Sequence, residues 1–145
     1  MSSIVAVSSL IFGKEIAVQT ISSTSSSIIS TLKTISDNYD NETKELFIRL
    51  DIKFKLDIIS KYIESIEFNK HIDNKSIDLC VDYIKEILIM IEKEVNTLEK
   101  EIEVYKKRWI GNLSSSSFKT QFSNIESHVS ILDQRFNMLI KILKN

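Results

Sequence analysis

Residues 77–109 read IDLCVDYIKEILIMIEKEVNTLEKEIEVYKKRW, and the reading of this stretch decides the fold. Its apolar residues fall at Ile77, Val81, Ile84, Leu88, Ile91, Val95, Leu98, Ile102, Tyr105 and Trp109, in unbroken steps of four and three. A repeat of about 3.5 residues lies so close to the roughly 3.6 of the α-helix that the row stays on one face and needs a second helix to cover it. Beyond Gly111 a second row follows the same rule through Phe118, Phe122, Ile125, Val129, Leu132, Phe136, Leu139 and Leu143. The two stretches read as an antiparallel hairpin of coiled-coil character.

Charge supports that pairing. Between Asp78 and Glu103 eight acids face three lysines, whereas from Lys106 onward seven cations face only Glu126 and Asp133. Opposite charge beside two apolar rows favours their juxtaposition, although each exposed pair adds only about 0 to 1 kcal/mol. The net charge of the whole chain is -1. No global field attracts nucleic acid or anionic lipid, so a nucleic-acid partner is not expected.

Composition agrees with long helices joined by few turns. The 145 residues are 43% hydrophobic, with no proline and only Gly13 and Gly111 as glycines, which removes most of the turn chemistry that β-hairpins need. Cys80 is the single cysteine and cannot form an internal disulfide, which fits a reducing, intracellular setting. Beside Leu79 and Val81 it reads as a small buried hydrophobe.

Upstream of the hairpin the chain is unusual in two places. From Met1 to Ser36 the only charges are Lys14, Glu15 and Lys33. The apolar run at 4–12 is too short to span a bilayer, which takes about 20 residues. No cation precedes it and no clear cleavage pattern follows, so it does not read as a secretion signal. Ile4, Val7, Ile11, Val18, Ile21, Ile28, Leu32 and Ile35 keep approximate heptad spacing, while Ser9, Gly13 and Ala17 recur every four residues as small residues that permit close helix approach. The Ser/Thr-rich part at 21–34 has poor helix propensity, and the expectation is a continuous helix held by burial, with a break near 22–27 as the alternative.

The second unusual place is Ile48-Arg-Leu-Asp-Ile-Lys-Phe-Lys-Leu-Asp-Ile58, which alternates apolar and charged residues as a half-buried strand does. No other stretch offers it a partner strand, and Leu56, Ile59, Ile63 and Ile66 return to helical spacing. The segment is therefore assigned to a helix with apolar residues on more than one side, which must touch two neighbours or a separate molecule. A strand here would imply an intermolecular sheet. The expectation is one all-α domain over 1–145, an antiparallel four-helix bundle with long helices at about 4–36, 42–68, 76–110 and 117–144.

Reactive chemistry is not evident. His71 and His128 have no ligand-spaced Cys or acid, and there is no phosphate-binding glycine loop, nucleophile elbow or Glu-x-x-His pair. No catalytic, cofactor-binding or metal-ligating residue is nominated, and no small-molecule substrate is expected. The cluster Lys106-Lys107-Arg108-Trp109 offers a contact for phosphate or membrane, but complementing the helix dipole and closing the seam against Phe118 account for it more simply.

Gly-Lys-Glu-Ile-Ala (13–17), Leu-Asp-Ile-Lys-Phe-Lys (50–55), Glu-Lys-Glu-Ile-Glu-Val-Tyr-Lys-Lys-Arg-Trp (99–109) and Ile-Leu-Asp-Gln-Arg-Phe-Asn-Met-Leu-Ile-Lys-Ile-Leu (131–143) resemble small uncharacterised helical proteins of giant, nucleocytoplasmic large DNA viruses. The last pair also resembles the hairpin of HeLo-type and mixed-lineage-kinase-like N-terminal bundles. The first resemblance implies a structural component of a virus particle; the second implies a bundle that assembles at membranes. Neither carries a functional residue across.

The expected function is thus structural: a non-catalytic assembly protein of the cytoplasm or of virus particles, not secreted, that self-associates or binds virion proteins. Its interaction candidates are Ile4, Val7, Ile11, Phe12, Gly13 and Ala17 in the first helix, Ile48, Leu50, Ile52, Phe54 and Leu56 in the alternating stretch, and Trp109. The competing expectation is a membrane-perturbing bundle that inserts residues 4–12.

Overall fold

In a computed structural model the secondary structure among the described residues is all helical. The structure describes residues 2–38, 44, 51–66, 74–108 and 118–144, with the backbone alone for 2–15, 38 and 106–108. Among the described residues there are four helices and no strand: α1 (Ser2–Asn38), α2 (Ile52–Glu64), α3 (Lys75–Arg108) and α4 (Lys119–Lys144).

Asn74 starts α3. Its side-chain Oδ1 accepts from the backbone N–H of Ser76 at 3.1 Å and of Ile77 at 3.2 Å, satisfying donors that the first turn leaves without a helical acceptor. From there the seam behaves as its spacing requires, and every member from Ile77 to Ile102 is buried. The α4 row matches it, with Phe118, Phe122, Ile125, Val129, Leu132 and Leu139 buried and Phe136 and Leu143 packed partly against the core. Each fully buried Leu or Ile contributes about 1.5–3 kcal/mol before chain entropy is subtracted.

Contacts between α3 and α4 run in opposite sequence order. Tyr105 meets Phe118 edge-on at 5.8 Å, Gln121 donates to Glu101 at 2.8 Å, His128 Nδ1 lies 2.8 Å from Glu94, and Arg135 donates to the Tyr83 carbonyl. Tyr105 thus meets Phe118, the contact expected of Trp109; Trp109 and Gly111 lie outside the described residues.

Between Val81 and Ile91 the sequence adds Ile87, Ile89 and Met90 to the seam and so predicts the first half of α3 deep inside, which needs correction. Ile87 is buried, but Ile89 and Met90 remain 44% and 47% exposed. Among the described residues only α1 and α4 pack closely along α3, and two neighbours cover one side of a helix and leave the other in water.

α1 is continuous through the Ser/Thr-rich part, with no break at 22–27. Burial supplies what propensity lacks, since Ile21, Ile28, Leu32 and Ile35 are core and Thr24 and Ser25 are buried with them. Its solvent side carries Gln19, Ser23, Ser26, Ser30 and Thr34. Ser22 donates to Glu64 of α2 at 2.6 Å and accepts from Ser60 at 3.3 Å, while Thr31 donates to Asn96 of α3 at 3.3 Å.

α2 differs from its expected outline. Residues 52–58 are helical, which overturns the strand reading there; Ile48 and Leu50 lie outside the described residues. A helix unbroken from about 42 is also excluded, because Asp51 sits in the left-handed region with φ 52 and ψ 38. Short polar side chains tolerate that conformation, which α-helical backbone cannot pass through. At the other end Ser65 closes the helix, its hydroxyl donating to the Tyr62 carbonyl at 2.6 Å.

Candidate interaction surface

The alternation of residues 52–58 resolves into two rows on one helix. At roughly 100° per residue, Ile52, Leu56, Ile59 and Ile63 share one face, and Phe54, Ile58 and Tyr62 share another roughly 130° away. The first row is buried in the core. The second faces outward, with Phe54 61% and Ile58 46% exposed. At its end this outer row meets another helix, where the Tyr62 ring stands edge-on to Phe136 of α4 with centroids 5.4 Å apart. Lys55 reaches over the same seam to Asp133 at 2.9 Å. Lys53, Asp57, Lys61 and Glu64 flank the row, all exposed, and their charges cancel.

A second exposed apolar patch lies where α3 and α4 meet. Tyr83 on α3 and Met138 on α4 are exposed at a groove of about 250 Å³ lined by Cys80, Tyr83, Arg135 and Met138, and Leu79 and Met90 are exposed on the same line of α3 as Tyr83. The Arg135 guanidinium lies over the Tyr83 ring, 5.3 Å from its centroid, and this stacking fixes both side chains at the groove's edge. Burial pushes the Cys80 thiol above its ordinary pKa, so it holds its proton and is a poor nucleophile. Tyr, Met and Arg together are the composition that protein interfaces favour.

Of the residues singled out in the sequence, Phe54 is exposed, whereas Ala17, Ile52 and Leu56 are core. The side chains of Ile4, Val7, Ile11, Phe12, Gly13, Ile48, Leu50 and Trp109 lie outside those described. Leu79, Tyr83 and Met90 were not singled out, although their spacing of four and seven residues is a second helical row beside the seam. Among the described residues no three His, Cys, Asp or Glu side chains converge as a metal site. Among the same residues no helix is long and apolar enough to cross a membrane.

The chain is similar to an uncharacterised protein of Acanthamoeba polyphaga mimivirus, with 27% identity over 66 residues. That match covers 46% of this chain and 32% of the relative, so the chain spans about a third of the relative's length. The similarity supports a giant-virus origin and no more. No family model matches the chain, so the HeLo-type resemblance gains no support from one, and no solved structure matches.

Proposed function

We propose that this chain is a non-catalytic assembly protein of a giant virus, an antiparallel four-helix bundle that associates with further copies of itself in or around the particle. The observation that carries the reading is α2, a helix with one apolar row in the core and a second row, Phe54, Ile58 and Tyr62, directed outward. An apolar row of this kind on a surface helix is an interaction feature. Its flanking charges cancel and the chain's net charge is -1, so two copies meet without like-charge repulsion. The reverse order of the α3–α4 contacts supports the antiparallel arrangement, as do Ser22 against Glu64 and Ser60 at one end of α2 and the groove joining Leu32 and Lys33 to Ile52 and Lys53 at the other.

Sedimentation velocity over a range of concentrations tests this. The unmodified chain is expected to form a dimer or larger species, and Phe54→Ser with Ile58→Ser is expected to return it to a monomer with unchanged helical circular dichroism. A monomer at every concentration that also binds no particle protein overturns the proposal. Flotation with anionic vesicles, in the absence of self-association, replaces it with the membrane reading.

A further inference from the structure

The four helices are not equally held. α1 lies closely along α3 and α3 along α4, but among the described residues only α1 brings its backbone close along α2. The opposite side of α2 reaches α4 through long side chains, Lys55 to Asp133 and Tyr62 to Phe136. That ion pair is 32% and 40% exposed, so water competes for both partners.

We infer that α2 is a separable unit of the fold, detaching from α1 and α4 and melting before the rest of the bundle unfolds. Detachment forfeits four buried apolar side chains, Ile52, Leu56, Ile59 and Ile63, whereas removing α3 forfeits nine, from Ile77 to Ile102. The free energy of opening grows with the apolar surface that opening exposes to water, so the α2 event lies below global unfolding. The unit's ends are marked as well. Left-handed Asp51 interrupts helical backbone before it, and Ser65 terminates the helix after it. Once detached, a helix of 13 residues does not hold its own hydrogen bonds, because isolated helices of that length are marginal in water. The event uncovers the apolar wall of α1 that α2 covers, and it does so whether or not the chain self-associates.

Hydrogen exchange of the full chain, read by mass spectrometry at concentrations where it is monomeric, tests the inference. After correction for intrinsic rates, amides of 56–63 are expected to exchange at least about tenfold faster than those of 84–98. Equal protection in the two segments overturns the inference. Asp133→Ala removes the ion pair from the α4 side without altering α2 itself. It is expected to speed exchange in 56–63 by up to about fivefold while leaving 84–98 unchanged. A parallel rise in both segments means that α2 opens only with the whole bundle, and that result equally overturns the inference.

Discussion

Replacing Ser25 by alanine is expected to stabilise this protein. Ser25 occupies a core position of α1 between Ile21 and Ile28, is 2% exposed, and its hydroxyl has no hydrogen-bond partner. An unsatisfied buried hydroxyl costs about 1–3 kcal/mol, and its removal leaves only a hydroxyl-sized gap beside the remaining methyl group. Alanine also has the higher helix propensity, by up to about 0.7 kcal/mol. Allowing for partial relaxation, the gain is about 1–2 kcal/mol, or a rise in Tm of roughly 3–6 °C for a domain of this size. Thermal and urea unfolding followed by circular dichroism measure it, with Ser23→Ala as control. The Ser23 hydroxyl is exposed and already donates to the Thr20 carbonyl at 3.2 Å, so its loss should stay within about 0.5 kcal/mol of neutral. A Ser25→Ala variant that is unchanged or less stable than the parent refutes the reasoning. It would mean that the hydroxyl is satisfied in solution and contributes to packing α1.

Leu88→Ala, at a fully buried seam position of α3, should cost about 2–5 kcal/mol in urea unfolding; a cost below about 1 kcal/mol would show that this seam is not the core. Asn74→Ala removes the cap of α3 and should cost about 1 kcal/mol, largely recovered by Asn74→Asp, which keeps the accepting oxygen. Cys80 has its pKa raised above 9.0 by burial, so at neutral pH the folded protein holds less thiolate than a free cysteine. Alkylation by a maleimide should be slower than that of a cysteine peptide at pH 7 and should accelerate in denaturant. The unfolded chain releases this proton at lower pH than the folded one, so the stability contributed by the neutral thiol is fully present below the unfolded thiol's ordinary pKa and is lost as pH rises from there through the raised folded one.

How much of this was legible in the sequence depends on what each pattern encodes. Over their described residues the α3 and α4 seams were readable, because a repeat of about 3.5 residues can be satisfied in only one way by a helix. The repeat fixes which line of the helix turns inward, but it does not fix how many neighbours arrive. Ile89 and Met90 therefore looked like core and are surface. The alternating stretch misled for a related reason. Apolar residues at every second position also arise when two rows with a spacing of four are interleaved on one helix, as with Ile52 and Leu56 against Phe54 and Ile58. The break at Asp51 left no trace in the pattern, since aspartate occupies helical and left-handed backbone alike and no glycine marks the place. The outer row of α2 was foreseen as a helix with two apolar sides, while the patch around Tyr83 and Met138 was hidden because its members sit on two different helices.

The outer side of α1, which carries only Lys33 and Asp37 as charges among its described side chains, has a consequence for the order in which the molecule forms. Gln19, Ser23, Ser26, Ser30 and Thr34 offer no intrahelical ion pairs and little intrinsic preference for helix, so α1 depends on burial against its neighbours to stay folded. The polar contacts of Gln121, His128 and Arg135 of α4 with α3 span 20 to 52 residues of chain, against 65 for Thr31 of α1 with Asn96 of α3, and the closer pairing, with its own apolar seams, meets the conditions for earlier formation. α1 is synthesised before both, yet it must wait as a nearly neutral, apolar, weakly helical segment until the two helices behind it have paired. Its exposure to misassociation is therefore set by the time a ribosome takes to reach α4, a delay that no residue within α1 can shorten.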